Sequence, residues 1–290
     1  MIRLAAYQGP VSEGNMPANL ARVREYYEIA RQNKADFVCF PECYLTGYSH
    51  AAAQKNAFAL DAPIVAELCE LTHNGPVLLV GAAVLDGGCK NAQLVFDDGK
   101  LLGYQSKTML CRPGADADTY VTDRNLPVFT ARGVTFGICI CHTTSYVEPA
   151  LLLRLRGARL LFTPHYNSLP PLHESGPDTI TYAGHRDMVL NNQAALATLL
   201  KMVVVRSNIL HLAPDAIGSG DAGVWDMDGH ILAMGRPFVE ELVYADVPAN
   251  IFAREHWIDH REVPMYLYDD LRQAAADYLG DTPFPIEGVL

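Results

Sequence analysis

The chain has 290 residues, half of them hydrophobic and 19% charged, with no low-complexity tract and no long run of like charge, which excludes disordered and fibrous classes. A formal charge of −11 (22 basic against 33 acidic side chains) and a pI near 5.3 oppose binding to nucleic acid or to anionic lipid. Seven cysteines without regular spacing fit a reducing compartment better than a disulfide scaffold. The first residues read as a strand rather than a signal peptide, and no apolar run is long enough to span a bilayer, so a cytoplasmic location without membrane contact is expected.

Ile2 to Gln8 reads as the first strand, and Pro17 opens a helix to about Gln32 with Leu20, Val23, Tyr27 and Ala30 on one face. The next strand, Ala35 to Phe40, runs into Pro41-Glu42, where proline stops the ladder and delivers a carboxylate to the strand's carboxyl end. Pro63 to Leu71 reads as a helix, and Pro76 to Leu85 as a strand apolar throughout, hence covered on both faces. Asn91 to Phe96 and Leu101 to Ser106 flank the turn signal Asp97-Asp-Gly-Lys100, which makes the sheet mixed and leaves Lys107 at the hairpin's exit.

Thr108 to Leu126 reads as a polar loop bordering a cleft, with Asp116 and Asp118 as its carboxylates. A second hairpin, Pro127 to Ala131 and Val134 to Ile140, turns at Arg132-Gly133 and leads to Cys141, with a Leu-rich helix expected directly after it, from Glu148 to Ala158. A strand from Arg159 to Thr163 ends in Pro164-His-Tyr-Asn167, and a proline-rich loop from His165 to Pro177 precedes a helix from about His185 to Lys201. Val203 to Asn208, a hairpin about Asp228-Gly229 and Leu242 to Val247 complete the strands. The whole reads as a single domain over residues 1–290, its stretch from about 252 a tail with Trp257 docked on something, such as a second subunit.

A thiol at a strand's carboxyl end, facing a helix amino terminus, sits among N–H groups and a positive dipole end that favour the thiolate. Cys139 and Cys141 also fit an ordinary core, since free cysteine is among the most buried residue types. Glu42 and Lys107, each unremarkable alone, can meet Cys141 at the carboxyl-end crevice where open α/β sheets place ligands. His142 is expected to point elsewhere on the strand end, which disfavours a dyad with Cys141, whereas His165 is placed to line the cleft. Cys139-x-Cys141-His142 lacks zinc-ligand spacing and no phosphate-binding glycine loop occurs, so neither metal nor cofactor is expected.

Three stretches together resemble the carbon–nitrogen hydrolase, or nitrilase, superfamily: Phe40-Pro-Glu-Cys-Tyr-Leu-Thr-Gly-Tyr48, Gly103-Tyr-Gln-Ser-Lys107 and Gly137-Ile-Cys-Ile-Cys-His-Thr-Thr-Ser-Tyr-Val-Glu148. Arg156 to Pro164, Val205 to Asn208 and Gly220 to Gly229 resemble later segments of the same superfamily, so the likeness covers nearly the whole chain. The resemblance implies a four-layer α-β-β-α sandwich with mixed sheets, assembled as a homodimer or higher homo-oligomer. It also implies Cys141 as nucleophile, Glu42 as general base and acid, and Lys107 steadying the oxyanion. Two departures stand out: Thr143 replaces the acidic residue usual two places after the cysteine, and the loop glutamate is absent, with Asp116 nearest by spacing and Asp118 second.

The expected activity is hydrolysis of a small amide or carbamoyl compound, favoured over a nitrile because the Cys-Trp-Glu pattern of true nitrilases is missing. Loops around Tyr48, Asp116 to Tyr120 and His165 to Pro177 are expected to set the substrate. The rivals are acyl transfer to an amine on the same scaffold, and a catalytically silent binding or assembly protein.

Overall fold

The computed structural model describes residues 1–111, 115–167, 182–213, 216–253, 260 and 263–279. In chain order the elements are β1 (Ile2–Pro10), α1 (Met16–Gln32), β2 (Phe37–Cys39), α2 (His50–Asn56), α3 (Pro63–Leu71), β3 (Val77–Leu85), β4 (Cys89–Asp97) and β5 (Lys100–Ser106). Next come α4 (Ala115–Thr119), β6 (Phe129–Ala131), β7 (Val134–Ile138), α5 (Val147–Leu155), β8 (Leu160–Pro164), α6 (Tyr182–Leu200) and β9 (Val203–Ala213). The remainder are β10 (Ala216–Ser219), β11 (Gly223–Trp225), β12 (Ile231–Met234), β13 (Glu241–Val247) and α7 (Met265–Leu279).

Strand parity explains the layers. Leu4 and Ala6 of β1, Phe37 and Cys39 of β2 and Leu79 of β3 face the same interior as Phe136 and Ile138 of β7, Leu160 and Phe162 of β8 and Val203 and Val205 of β9. The alternate residues turn outward: Tyr7, Val38, Leu78 and Val80 pack on Val23, Tyr27 and Ala30 of α1 and Val65 and Leu68 of α3, while Leu161 and Val204 pack on α5 and α6. The result is the α-β-β-α sandwich. Phe37, Phe136 and Phe162 meet at its centre with ring centroids 5.5–5.8 Å apart, and each fully buried ring contributes roughly 1.5–3 kcal/mol.

The strands follow one path, β5-β4-β3-β2-β1-β9-β8-β7-β6. β1, β2 and β3 run parallel, as do β7, β8 and β9, whereas β4 pairs antiparallel with β3, and β5 and β6 are added antiparallel through the two expected hairpins. Both hairpins turn through left-handed pairs, Asp98-Gly99 and Arg132-Gly133, as a two-residue loop matched to strand twist requires. β9 belongs to both layers: residues 203–207 pair with β8, and Asn208 to Leu210 pair with β1.

The segment after β7 departs from the sequence expectation. β7 ends at Ile138, two residues short of the expected Ile140, and Cys141 to Ser145 form an unexpected 3-10 turn, whereas α5 begins at Val147, within one residue of the expected Glu148. Cys141 adopts a left-handed backbone (φ 48°), which breaks the strand, and the Thr144 hydroxyl donates to Cys141 O at 2.7 Å, closing the turn locally. Helix α2 and strand β10 were not expected from the pattern; α2 is short and Ala-rich, and Ser49 caps it through Ala52 N.

Residues 1–254 form one compact unit and 255–290 another, whose principal described element is α7. Trp257 and the proline-rich stretch after Asn167 lie outside the described residues. Among the described residues no helix is long and apolar enough to cross a membrane.

Candidate active site

Glu42 is positioned by a turn that only a glycine neighbour allows. After β2, Pro41 ends the ladder and Cys43 turns left-handed (φ 49°), so the Pro41–Cys43 backbone lies directly on Gly81 of β3. A Cβ at Gly81 would sit 2.3 Å from Cys43 N and 2.4 Å from Pro41 O. Leu45 N donates to Gly81 O (2.9 Å), Glu42 N to His165 O (3.3 Å) and Gln93 Nε2 to Phe40 O (2.9 Å), so both layers brace the turn. The Glu42 side chain is fully buried; its Oε1 accepts from Asn91 Nδ2 and from Lys107 Nζ, each at 2.7 Å, and its Oε2 has no hydrogen-bond partner.

Lys107 follows β5 and is tied to β4 by its own N–H, donated to Asn91 O at 2.7 Å. Its buried ammonium reaches Glu42 Oε1 (2.7 Å) and Asp116 Oδ2 (2.6 Å), with Cys111 Sγ at 3.9 Å and the Tyr48 ring centroid at 5.6 Å. Burial alone lowers the lysine, but Glu42, Cys141 and Asp116 together outweigh it and hold the ammonium above the usual lysine range. Asp116 sits on α4, fully buried, and its Oδ2 also accepts the Cys111 N–H at 2.9 Å. Asp118, on the same short helix, is exposed: the structure makes Asp116, not Asp118, the loop carboxylate against Lys107. The two differ because successive positions two apart on a helix point to different sides.

Cys141 is partly buried, and its thiol donates to Asn167 Oδ1 at 3.3 Å. The expectation that a helix amino terminus favours the thiolate is not matched by the thiol's surroundings, which hold its pKa above that of a free thiol. Burial and then Glu42 push the thiol up, while Lys107 and the Tyr166 backbone N–H pull the other way without reversing it. The Cys141 thiol is therefore harder to ionise than a free one, and its ionisation is coupled to Glu42 and Lys107.

A cavity of about 180 Å³ opens on Cys141, lined among others by Cys111, His142, His165, Asn167 and Gln193. His142 was expected to point elsewhere on a strand end; it lines this cavity because the 3-10 turn, not a strand, sets its direction. Burial and then Lys107 lower its pKa, so it is neutral at pH 7. His165 is buried, donates Nδ1–H to Thr163 O (2.7 Å) and presents Nε2 to the Thr144 hydroxyl at 3.4 Å. Tyr48 stacks on Tyr166 with centroids 5.0 Å apart, and Glu13 ties the pair together by accepting from the Tyr166 hydroxyl (2.6 Å) and the Tyr48 N–H (3.0 Å).

Sequence reading missed Asn91, Cys111, Asn167, Gln193 and Glu13. For Asn91 and Gln93 a signal existed: two amides on one face of an otherwise apolar strand, where a core would take aliphatic residues. The others come from loops or from a helix face whose approach to Cys141 depends on tertiary structure. Among the described residues no cluster of His, Cys, Asp and Glu could hold a metal ion.

The family model described as Carbon-nitrogen hydrolase matches residues 3–253. A glutamine-dependent NAD(+) synthetase of Rhodobacter capsulatus is 26% identical over 279 residues, covering 90% of this chain and 48% of that protein. The chain thus spans about half the length of the NAD(+) synthetases it matches. Among solved structures, a carbon–nitrogen hydrolase from Helicobacter pylori superposes with a TM-score of 0.78 at 18% identity, covering 93% of this chain and 97% of that one. The NitN amidase from Nesterenkonia sp. superposes with a TM-score of 0.75 at 17% identity, covering 93% and 100%.

Proposed function

This chain belongs to the carbon–nitrogen hydrolase family, and from that premise we propose that it is a cysteine-dependent hydrolase of small amide or carbamoyl compounds, releasing ammonia through a thioester on Cys141. The observation that carries the reading is the fully buried Glu42–Lys107 contact of 2.7 Å beside the Cys141 cavity. Two desolvated charges in such a place are costly, and a buried, charge-paired lysine beside a cavity marks a catalytic site more than a structural one.

In the proposed reaction Glu42 takes the Cys141 proton as sulfur bonds to the amide carbon, and the carbonyl π pair moves onto oxygen. Lys107 Nζ and the His142 backbone N–H donate to that oxyanion, each worth roughly 3 kcal/mol in a dry site. Collapse breaks the C–N bond, Glu42 returns the proton to the departing nitrogen, and ammonia leaves. Glu42 then deprotonates water, which attacks the thioester and releases the acid and free thiol. The reading is supported by Cys111, which lines the Cys141 cavity and lies 3.9 Å from the Lys107 ammonium.

The test is ammonia release across a panel of amides, carbamoyl compounds, nitriles and glutamine, with intact-mass detection of acyl-Cys141. Cys141→Ala should abolish both turnover and the mass shift; turnover retained by that variant refutes the reading. Glutamine belongs in the panel because the Rhodobacter capsulatus relative is a glutamine-dependent enzyme. Added hydroxylamine or alkylamine separates hydrolysis from acyl transfer by product analysis.

A further inference from the structure

α6 buries one stripe against the second sheet layer, Val189, Leu196, Ala197 and Leu200, and Gln193 stands in the middle of it with no exposure. Its Oε1 accepts from the Thr163 hydroxyl at 2.8 Å, a closer acceptor for that proton than Val205 O at 3.3 Å. Thr163 therefore turns the carboxamide oxygen toward itself, and Nε2 is left buried without a hydrogen-bond partner. Gln193 also lines the Cys141 cavity, and among its described lining residues only Gln193 carries such an orphaned buried atom. An aliphatic residue would fill this stripe without burying an unmet donor, so the amide has a use in the cavity.

We propose that Gln193 is a specificity-determining residue: its side-chain N–H donates to a second oxygen on the substrate, beyond the scissile carbonyl. This rests on the amidohydrolase reading and narrows it, to short amides that carry a hydroxyl, carbonyl or carboxylate oxygen. The cavity, about 180 Å³, is smaller than the roughly 300–1,000 Å³ of clefts that hold drug-sized ligands, which restricts the substrate to a few carbons. Sites built to donate to a substrate oxygen discriminate against isosteres lacking it, because the donor is otherwise stranded.

The experiment uses matched pairs: 2-hydroxyacetamide with propionamide, 3-hydroxypropanamide with butyramide, and 4-hydroxybutanamide with pentanamide. In the wild type at least one hydroxylated member should exceed its alkyl partner in kcat/KM by about tenfold, mainly through KM, the worth of one buried hydrogen bond. Gln193→Met, which keeps the volume and removes the donor, should collapse that ratio to near one. Gln193→Glu, which keeps the acceptor facing Thr163, should discriminate against succinamate relative to 4-hydroxybutanamide by at least tenfold more than the wild type. Binding of the same pairs to Cys141→Ala protein, with and without Gln193→Met, reads the preference independently of turnover. Absent hydrolysis with an intact binding preference would refute the amidohydrolase reading alone. A wild type blind to the hydroxyl in both assays, or ratios unchanged in both variants, would overturn the role of Gln193.

Discussion

Asp116 Oδ2 lies 2.6 Å from Lys107 Nζ, and both side chains are fully buried. The sequence lacks a glutamate in this loop, and the short helix α4 compensates by carrying an aspartate inward far enough to touch the ammonium. Two carboxylates thus share one lysine, with Glu42 on its other side.

Asp116→Asn should release one anchor of Lys107 while keeping the Cys111 N–H acceptor. We expect kcat to fall by about a hundredfold, the order seen when one oxyanion donor is lost, with KM less affected. Asp116→Glu should retain more activity than Asp116→Asn. Steady-state kinetics on the best amide from the panel decide this; equal kcat in wild type and Asp116→Asn would show that Lys107 needs no second carboxylate.

Burial holds the Cys141 thiol up, so on the proposed reading its modification should depend on Glu42 and on a bound amide. Iodoacetamide labelling of Cys141 should saturate with reagent concentration and slow by about a hundredfold in Glu42→Gln at neutral pH. In that variant the rate should recover only in strongly alkaline solution, since burial holds the thiol up. Cys89, outside the site, serves as the internal reference. Non-saturating labelling that is indifferent to Glu42 contradicts the assignment.

Gly81→Ala should harm activity more than its single methyl suggests. The added Cβ would collide with backbone at Cys43 and Pro41 rather than with a movable side-chain end. We expect a stability loss of about 1–3 kcal/mol by urea denaturation, and a kcat loss larger than Asp116→Asn produces, because the displaced turn carries Glu42. Gly87→Ala is the control: its φ of 63° makes the substitution strained, but nothing lies within 4 Å of the added atom.

Alkaline pH should unfold the protein. Burial pushes the Cys39 and Cys139 thiols up to about 12 and Cys111 to about 11. These groups stay protonated in the folded chain while the unfolded chain ionises them near the ordinary thiol value of roughly 8.5. Their stabilisation is full below that value and is lost progressively as pH rises toward 11–12. Tm should be flat from pH 7 to about 8.5 and decline above it. Cys139→Ala should decline less steeply, whatever its starting Tm; a parallel decline would remove this thiol as a cause.

Self-association, expected from the sequence, has a visible surface to use. Val147, Leu152 and Leu155 of α5 and Leu199 of α6 are exposed. We expect a homodimer in sedimentation velocity at micromolar concentration, and a shift toward monomer in Leu155→Glu. A wild type sedimenting as a 31.8 kDa species would refute it.

How much of this could be read from the sequence depends on range. Alternation in Val134 to Ile138 and the two Gly-containing turns are local patterns, and the strands and hairpins followed from them. Glu42 and Lys107 were legible because proline and a hairpin exit mark strand ends, and the structure brings them into contact. The 3-10 turn at Cys141 was not, since its left-handed φ is imposed by tertiary structure on a residue that gives no local sign of it. Gln193 was hidden for another reason: a polar residue on a helix reads as solvent-facing until the packing shows which stripe is inside.

The strand β9 has a mechanical consequence for the site. Glu42 and Lys107 hang from the layer containing β2 and β5, while Cys141 and Asn167 hang from the layer containing β7 and β8. Since one uninterrupted strand is spliced into both, the layers cannot shear past each other without tearing main-chain hydrogen bonds on both sides of Asn208. Cys141 and Glu42 are thereby carried by two layers locked together as the chain folds, so on the proposed reading access to the thiol falls to side chains and loops at the rim rather than to any hinge between the sheets.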